Sequence, residues 1–234
     1  MARVTGISRV AMNPTSIRDQ RALPRFIAVE GPIGVGKTTL ARRLAETFNY
    51  DMLLEQAEEN PFLHRFYEEP ARYALQTQLF FLFQRAQQLR DLSQNDLFEQ
   101  VRISDFLMEK DRLFAEVTLD KDEFALYDNV YQHLTLNAPT PDLVIYLQAP
   151  VAVLQERIQR RGISHEQPIT GDYLERLNDA YARFFHFYDD APLLIVNATD
   201  IDLVNNDRDF QQLVDHALDI RSGRHYFNPR PLAG

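Results

Sequence analysis

The run Gly31-Pro32-Ile33-Gly34-Val35-Gly36-Lys37-Thr38 constrains this chain more than any other stretch of it. It fits G-x-x-x-x-G-K-[ST] at every fixed position and is entered from an apolar run, Phe26-Ile27-Ala28-Val29-Glu30. A strand, a glycine-rich turn and a helix start together make a polyphosphate cradle, because backbone N–H groups and the positive helix end converge on an anion. Composition sharpens the reading. The chain has eight glycines, yet Gly31, Gly34 and Gly36 fall within six positions. Of its 25 basic residues only Lys37, Lys110 and Lys121 are lysines, so a compact point charge stands at the loop end in a chain that otherwise uses arginine. Gly31, Pro32, Ile33, Gly34, Val35, Gly36, Lys37, Thr38 and Thr39 are the expected phosphate contacts.

Around this loop, short aliphatic runs alternate with helical periodicity. Met52-Leu53-Leu54 ends at Glu55, Val101-Arg102-Ile103-Ser104 ends at Asp105, and Leu143–Leu147 and Leu193–Val196 follow. Helices are expected over residues 37–48, from Asn60-Pro61, and over 71–92, 107–117, 121–136, from Pro150 to about Arg161, 172–188 and 207–221. Runs of this kind mean parallel strands buried on both faces, hence an α/β fold with a five-stranded parallel sheet. Ligands of such sheets sit beyond the carboxyl ends of the strands, so Lys37, Glu55 and Asp105 are expected to share one crevice. Thr38 and Asp105 then suit a Mg²⁺ ion, and Glu55 is the candidate base for an acceptor hydroxyl. Arg157, Arg160 and Arg161 cluster at a helix end before the polar loop Gly162–Gly171. They read as a lid over residues 157–171, with Arg157 and Arg161 placed to meet phosphate charge, although cations at that end also complement the helix dipole.

At 234 residues the chain reads as one domain, 25–222, with a tail from 223 to 234. Residues 1–24 carry Arg3, Arg9, Arg18 and Arg21 against the single acid Asp19. They read as a disordered extension, with a transit peptide or initiation at Met12 as the other readings. A net charge of −9 argues against a nucleic-acid surface or an anionic membrane. The absence of cysteine excludes disulfides, thiolate metal sites and a thiol nucleophile. No apolar run approaches the length of a membrane span, and no signal peptide is seen, which favours the cytoplasm. The six histidines show no metal-ligand spacing.

With the P-loop, the glutamate after strand two, Tyr67 in Phe66-Tyr67-Glu68-Glu69-Pro70 ahead of a Gln-bearing helix, Asp111-Arg112-Leu113-Phe114-Ala115 and the Arg-rich lid, the chain resembles the deoxynucleoside kinase family from about Arg25 to Ile220. The resemblance implies ATP as donor and a deoxyribonucleoside as acceptor. It makes Glu55 the base on the sugar 5′-hydroxyl, and Tyr67 and Glu166 the partners of the 3′-hydroxyl. Gln78 and Asp111 would read the base, Arg157 and Arg161 would be lid cations, and a homodimer would form through helices 71–92 and 121–136. Two departures stand out. Relatives commonly have Glu-Arg-Ser where this chain has Asp105-Phe106-Leu107, and many carry an arginine at Ile163. Arg112 or Arg160 is the expected source of the missing charge. Two rivals remain on sequence grounds: a thymidylate-like nucleoside monophosphate kinase, disfavoured by the acids Glu55, Glu58, Glu59 and Asp105, and a non-catalytic P-loop module.

Overall fold

The computed structural model describes residues 23–94, 102–135, 138–201 and 206–228. Six parallel strands lie in the order β2-β3-β1-β4-β5-β6: β1 Phe26–Glu30, β2 Asp51–Leu53, β3 Arg102–Ser104, β4 Leu143–Gln148, β5 Leu193–Asn197 and β6 Arg224–Phe227. The connecting helices are α1 Lys37–Phe48, α2 Leu63–Glu68, α3 Pro70–Gln94, α4 Lys110–Thr118, α5 Lys121–Thr135, α6 Val151–Arg161, α7 Gly171–Phe187 and α8 Asp207–Asp219.

The sixth strand corrects the expectation of five, and it lies inside the stretch read as a tail. β6 pairs with β5 from Leu193↔Arg224 to Val196↔Phe227. Its sequence, Arg-His-Tyr-Phe, has only half-buried and exposed positions, so no apolar run announces it. What fixes it is β5's open edge and Arg224, whose guanidinium donates to the carbonyls of Phe185 and His186 at 2.7 and 2.8 Å. Residues 1–22 and 229–234 lie outside the described residues. α2 also begins later than expected. Asn60 caps a turn instead, its Oδ1 accepting from Phe62 N at 3.0 Å and its Nδ2 donating to Thr77 O at 3.2 Å.

Alternation along the strands divides the core. Ile27, Val29, Leu143, Ile145, Leu194 and Val196 face α1, α6 and α8, whereas Ala28, Val144, Tyr146, Leu193 and Ile195 face the helices on the other side. A third cluster, with Leu82 and Leu89 of α3, Phe106, and Tyr127 of α5, backs the acceptor side of the site. No described helix is long and apolar enough to cross a membrane.

One buried carboxylate links these layers. Glu30, 1% exposed, accepts from Gly31 N and Tyr181 Oη at 2.8 Å through Oε1, and from Leu107 N at 2.8 Å through Oε2. It ties the loop after β1 to α7 and to the entry of α4. Removing it leaves three buried donors without acceptors, and hydrogen bonds to a charged group contribute most. Glu30→Ala is expected to lower unfolding stability by about 3 kcal/mol in a denaturant titration. A change under about 0.5 kcal/mol would show that the carboxylate is not a strut.

Candidate active site

The loop after β1 has the conformation its glycines permit. Gly31, Gly34 and Gly36 have φ of 148°, 84° and 106°. A Cβ on Gly31 would lie 2.4 Å from Leu147 O, so the close approach of the loop to β4 also demands glycine there. α1 starts at Lys37, so its free N–H groups face the loop interior. Lys37 Nζ donates to Gly31 O at 2.7 Å and Pro32 O at 3.2 Å. Burial first, and then the Lys110 charge, pull its pKa down to about 8 against the opposing pull of Glu30, Glu55 and Asp105.

A cavity of about 540 Å³ runs from this loop past the ends of β2 and β3 to α3, α4 and the 162–170 segment. Its floor is Asp105. One oxygen accepts from Thr38 Oγ1 at 2.5 Å and the other from the backbone N of Glu55 at 2.8 Å. Thr38, Asp105 and Glu55 are therefore one hydrogen-bonded unit, in the crevice where the strand ends place them. Glu55 itself meets two cations: Oε1 accepts from Arg85 and Oε2 from Lys110, each at 2.5 Å. Burial would raise its pKa, but Arg85 and Lys110 outweigh that and hold it down at about 2.

Arg85 also pairs with Asp111, which is 1% exposed, and its guanidinium lies 5.0 Å from the Phe81 ring and 5.5 Å from the Phe106 ring. Gln78 lies beside them on α3, buried and bordering the cavity. Over the opposite wall, Tyr67 stacks against His165 with centroids 6.5 Å apart, and Arg161 reaches Glu166 at 2.5 Å. Burial first, with Tyr173 and Glu166 nearby, pushes the Tyr67 phenol well above its usual range.

Every residue expected on the acceptor side borders this one cavity: Glu55, Tyr67, Gln78, Asp111 and Glu166, together with Arg161. Arg157 is placed elsewhere. Its guanidinium donates to Val35 O at 3.2 Å and Ala198 O at 2.7 Å, joining the phosphate loop to the segment after β5. It borders a second cavity, about 950 Å³, shared by Gly34, Gly36, Arg160 and Thr199.

The missing charge comes from neither expected arginine. Arg112 faces outward, bonded to Asp128 at 2.9 Å and Glu116 at 2.6 Å, and Arg160 is a 73% exposed partner of Glu156. The cations that meet Glu55 in the cavity are Arg85 and Lys110, while Phe106 is buried against Arg85. Arg85 was legible in principle: Gln78, Phe81 and Arg85 are three and seven residues apart on one face of α3. Lys110 carried only its rarity.

The model of the family described as deoxynucleoside kinase matches residues 27–220. The chain belongs to the deoxynucleoside kinase family. It is 36% identical over 200 residues to a deoxyguanosine kinase of Bacillus subtilis strain 168, covering 83% of this chain and 97% of that one. It is 27% identical over 203 residues to a deoxyadenosine/deoxycytidine kinase of the same organism, covering 83% and 92%. Among solved structures, deoxyadenosine kinase from M. mycoides with bound dATP superposes with a TM-score of 0.72 at 26% identity, covering 82% of this chain and 98% of that one. This deoxynucleoside kinase therefore shares its fold with its relatives across nearly their whole length, and it is an enzyme that transfers phosphate.

Proposed function

We propose that this kinase transfers the γ-phosphoryl group of ATP to the 5′-hydroxyl of a deoxyribonucleoside, with a purine base preferred. The observation that carries the reading is the single unit Thr38–Asp105–Glu55, which joins the phosphate cradle to the acceptor cavity. The purine preference is supported by the relative at 36% identity, a deoxyguanosine kinase. In the step, the 5′-oxygen bonds to the γ-phosphorus as the bond to the bridging oxygen breaks. ADP leaves with that electron pair, and the hydroxyl proton passes to Glu55. Glu55 is too acidic to ionise the hydroxyl beforehand; it accepts a hydrogen bond from the hydroxyl and receives the proton as the oxygen becomes an ester oxygen.

Tyr67 and Glu166 are placed to fix the 3′-hydroxyl, and Gln78 with Asp111 to face the base. Arg161 meets phosphate charge from the lid, and Arg157 secures the loop that holds the donor. The residues at the cradle also fit Mg²⁺. Thr38 and Asp105 are a hard-oxygen pair that would hold such an ion. Bound there, the ion supplies charge neutralisation for the phosphates.

Steady-state turnover of the four deoxynucleosides with ATP tests the assignment. A kcat/KM for deoxyguanosine or deoxyadenosine at least about 10-fold above both pyrimidines is expected. Equal or better use of thymidine would overturn the base preference. The expectation that anions repel an acceptor phosphate needs correction as an argument against monophosphate substrates, because Arg85, Lys110 and Arg161 border the cavity beside the acids. Support for the nucleoside comes instead from Arg85 being engaged by Glu55 and Asp111 together, and from the family.

Two further outcomes follow. Protonated Lys37 binds the donor phosphates, and its pKa in the free protein is about 8. kcat/KM for ATP is expected to fall as pH rises through about 8, and a profile flat to about pH 9.5 would contradict this. A homodimer through α3 and α5 is supported by Phe83 and Leu126 on these helices, 51% and 54% exposed. Sedimentation is expected to give a dimer, and Phe83→Glu with Leu126→Glu a monomer; a monomeric wild type would remove the interface.

A further inference from the structure

Lys110 opens α4 with its side chain only 6% exposed, yet it borders the acceptor cavity. An ammonium group has three N–H donors. One goes to Glu55 Oε2 at 2.5 Å, and the group also lies 5.3 Å from the Phe114 ring centroid. No oxygen among the described residues takes the other two. Buried donors are normally satisfied, and a buried cation needs more than a single bond to offset its lost hydration. Lys37 on the phosphate loop borders the same cavity, close enough for the Lys110 charge to act on it, so two ammonium groups stand at the junction of cradle and acceptor cavity. Two cations so placed repel unless anions stand with them. Glu55 is one such anion, and the two open donors mark a place for another oxygen.

We propose that Lys110 is a catalytic residue, which donates to an oxygen of the phosphoryl group in transit while holding Glu55 through Oε2. The proposal rests on the 5′-phosphorylation reading. When the hydroxyl proton reaches Glu55, the carboxylate loses its charge, and its hold on Lys110 weakens at that moment. The ammonium charge is then left to the phosphoryl oxygens, so its attraction is greatest where the negative charge moves. Arg85 is held from two sides, with only its Nε lacking a partner among the described residues. Its guanidinium is engaged by Glu55 and Asp111 together and lies against the Phe81 and Phe106 rings.

A double-mutant cycle separates direct contact with the reacting group from action through Glu55. Initial rates are measured for wild type, Lys110→Met, Glu55→Gln and the double variant, with thermal melts and ADP binding for each. Lys110→Gln replaces Lys110→Met if the latter does not fold. Lys110→Met is expected to lose at least about 10²-fold in kcat with KM for ATP within about threefold. In the Glu55→Gln background it is expected to lose at least a further ~10-fold, and Lys110→Arg to recover most of the single-variant loss. A folded Lys110→Met with kcat within about threefold of wild type would overturn the proposal. So would a double variant no slower than Glu55→Gln, since Lys110 would then act only through the carboxylate. A wild type that phosphorylates no deoxynucleoside would instead overturn the reaction, and this inference with it.

Discussion

Glu55→Gln is expected to lose about 10²- to 10⁴-fold in kcat, with ADP binding within about threefold of wild type. Glu55 joins both halves of the site: its backbone N–H donates to Asp105, which holds Thr38, and its side chain reaches the acceptor cavity. The amide cannot take the hydroxyl proton. It also turns an NH₂ toward Arg85 or Lys110 where each now meets an oxygen. A melting curve and nucleotide titration separate these effects from chemistry. The same pairing makes a pH statement with a definite sign. Glu55's pKa is about 2 in the fold and near 4.5 without it. The stability it contributes is fully present above about pH 4.5 and lost as pH falls toward 2. In Glu55→Gln this component of acid destabilisation should be absent. Unchanged turnover would remove Glu55 from the reaction.

Arg85→Met is expected to have the larger effect on the folded state. Asp111, 1% exposed, loses its cation, and Glu55 keeps only Lys110. Breaking one side of a buried ion pair costs about 3–5 kcal/mol, because the remaining charge stays buried without compensation. The wall built from Gln78, Arg85 and Asp111 is disrupted with it, so KM for the nucleoside should rise at least about 10-fold. Arg85→Lys keeps the charge but not a planar fork able to serve Glu55 and Asp111 together, and it should recover part of the stability and little of the affinity. Chemical denaturation together with nucleoside titration reads both. An Arg85→Met protein with wild-type stability and wild-type nucleoside KM would show that the pair with Asp111 is incidental.

How far the sequence carries the reading varies by residue. Phosphate-loop geometry was legible because its glycines have conformational reasons that no other residue satisfies, as Gly31 against Leu147 O shows. Strands β1, β4 and β5 were legible because burial on both faces forces unbroken aliphatic runs. β6 was not, since an edge strand fixed by Arg224 needs no such run. Among site residues, those at strand ends were placed by the sheet, so Glu55 and Asp105 converged as expected. Arg85 and Lys110 lie on helices, where a buried cation looks like any surface charge until its partners are known. Arg112, one residue from Asp111, points the opposite way, and sequence proximity to a site residue says nothing of direction on a helix. Arg157, expected as a lid cation, instead donates to the backbone carbonyls of Val35 and Ala198 from the side of the second cavity.

The most direct test of the central claim offers purified protein γ-labelled ATP and Mg²⁺ with each deoxynucleoside and, separately, each deoxynucleoside monophosphate. The account predicts label appearing in a nucleoside 5′-monophosphate, from deoxyguanosine or deoxyadenosine above the pyrimidines, and no labelled diphosphate from any monophosphate. Label found only in diphosphates, or in no acceptor at all, would contradict it.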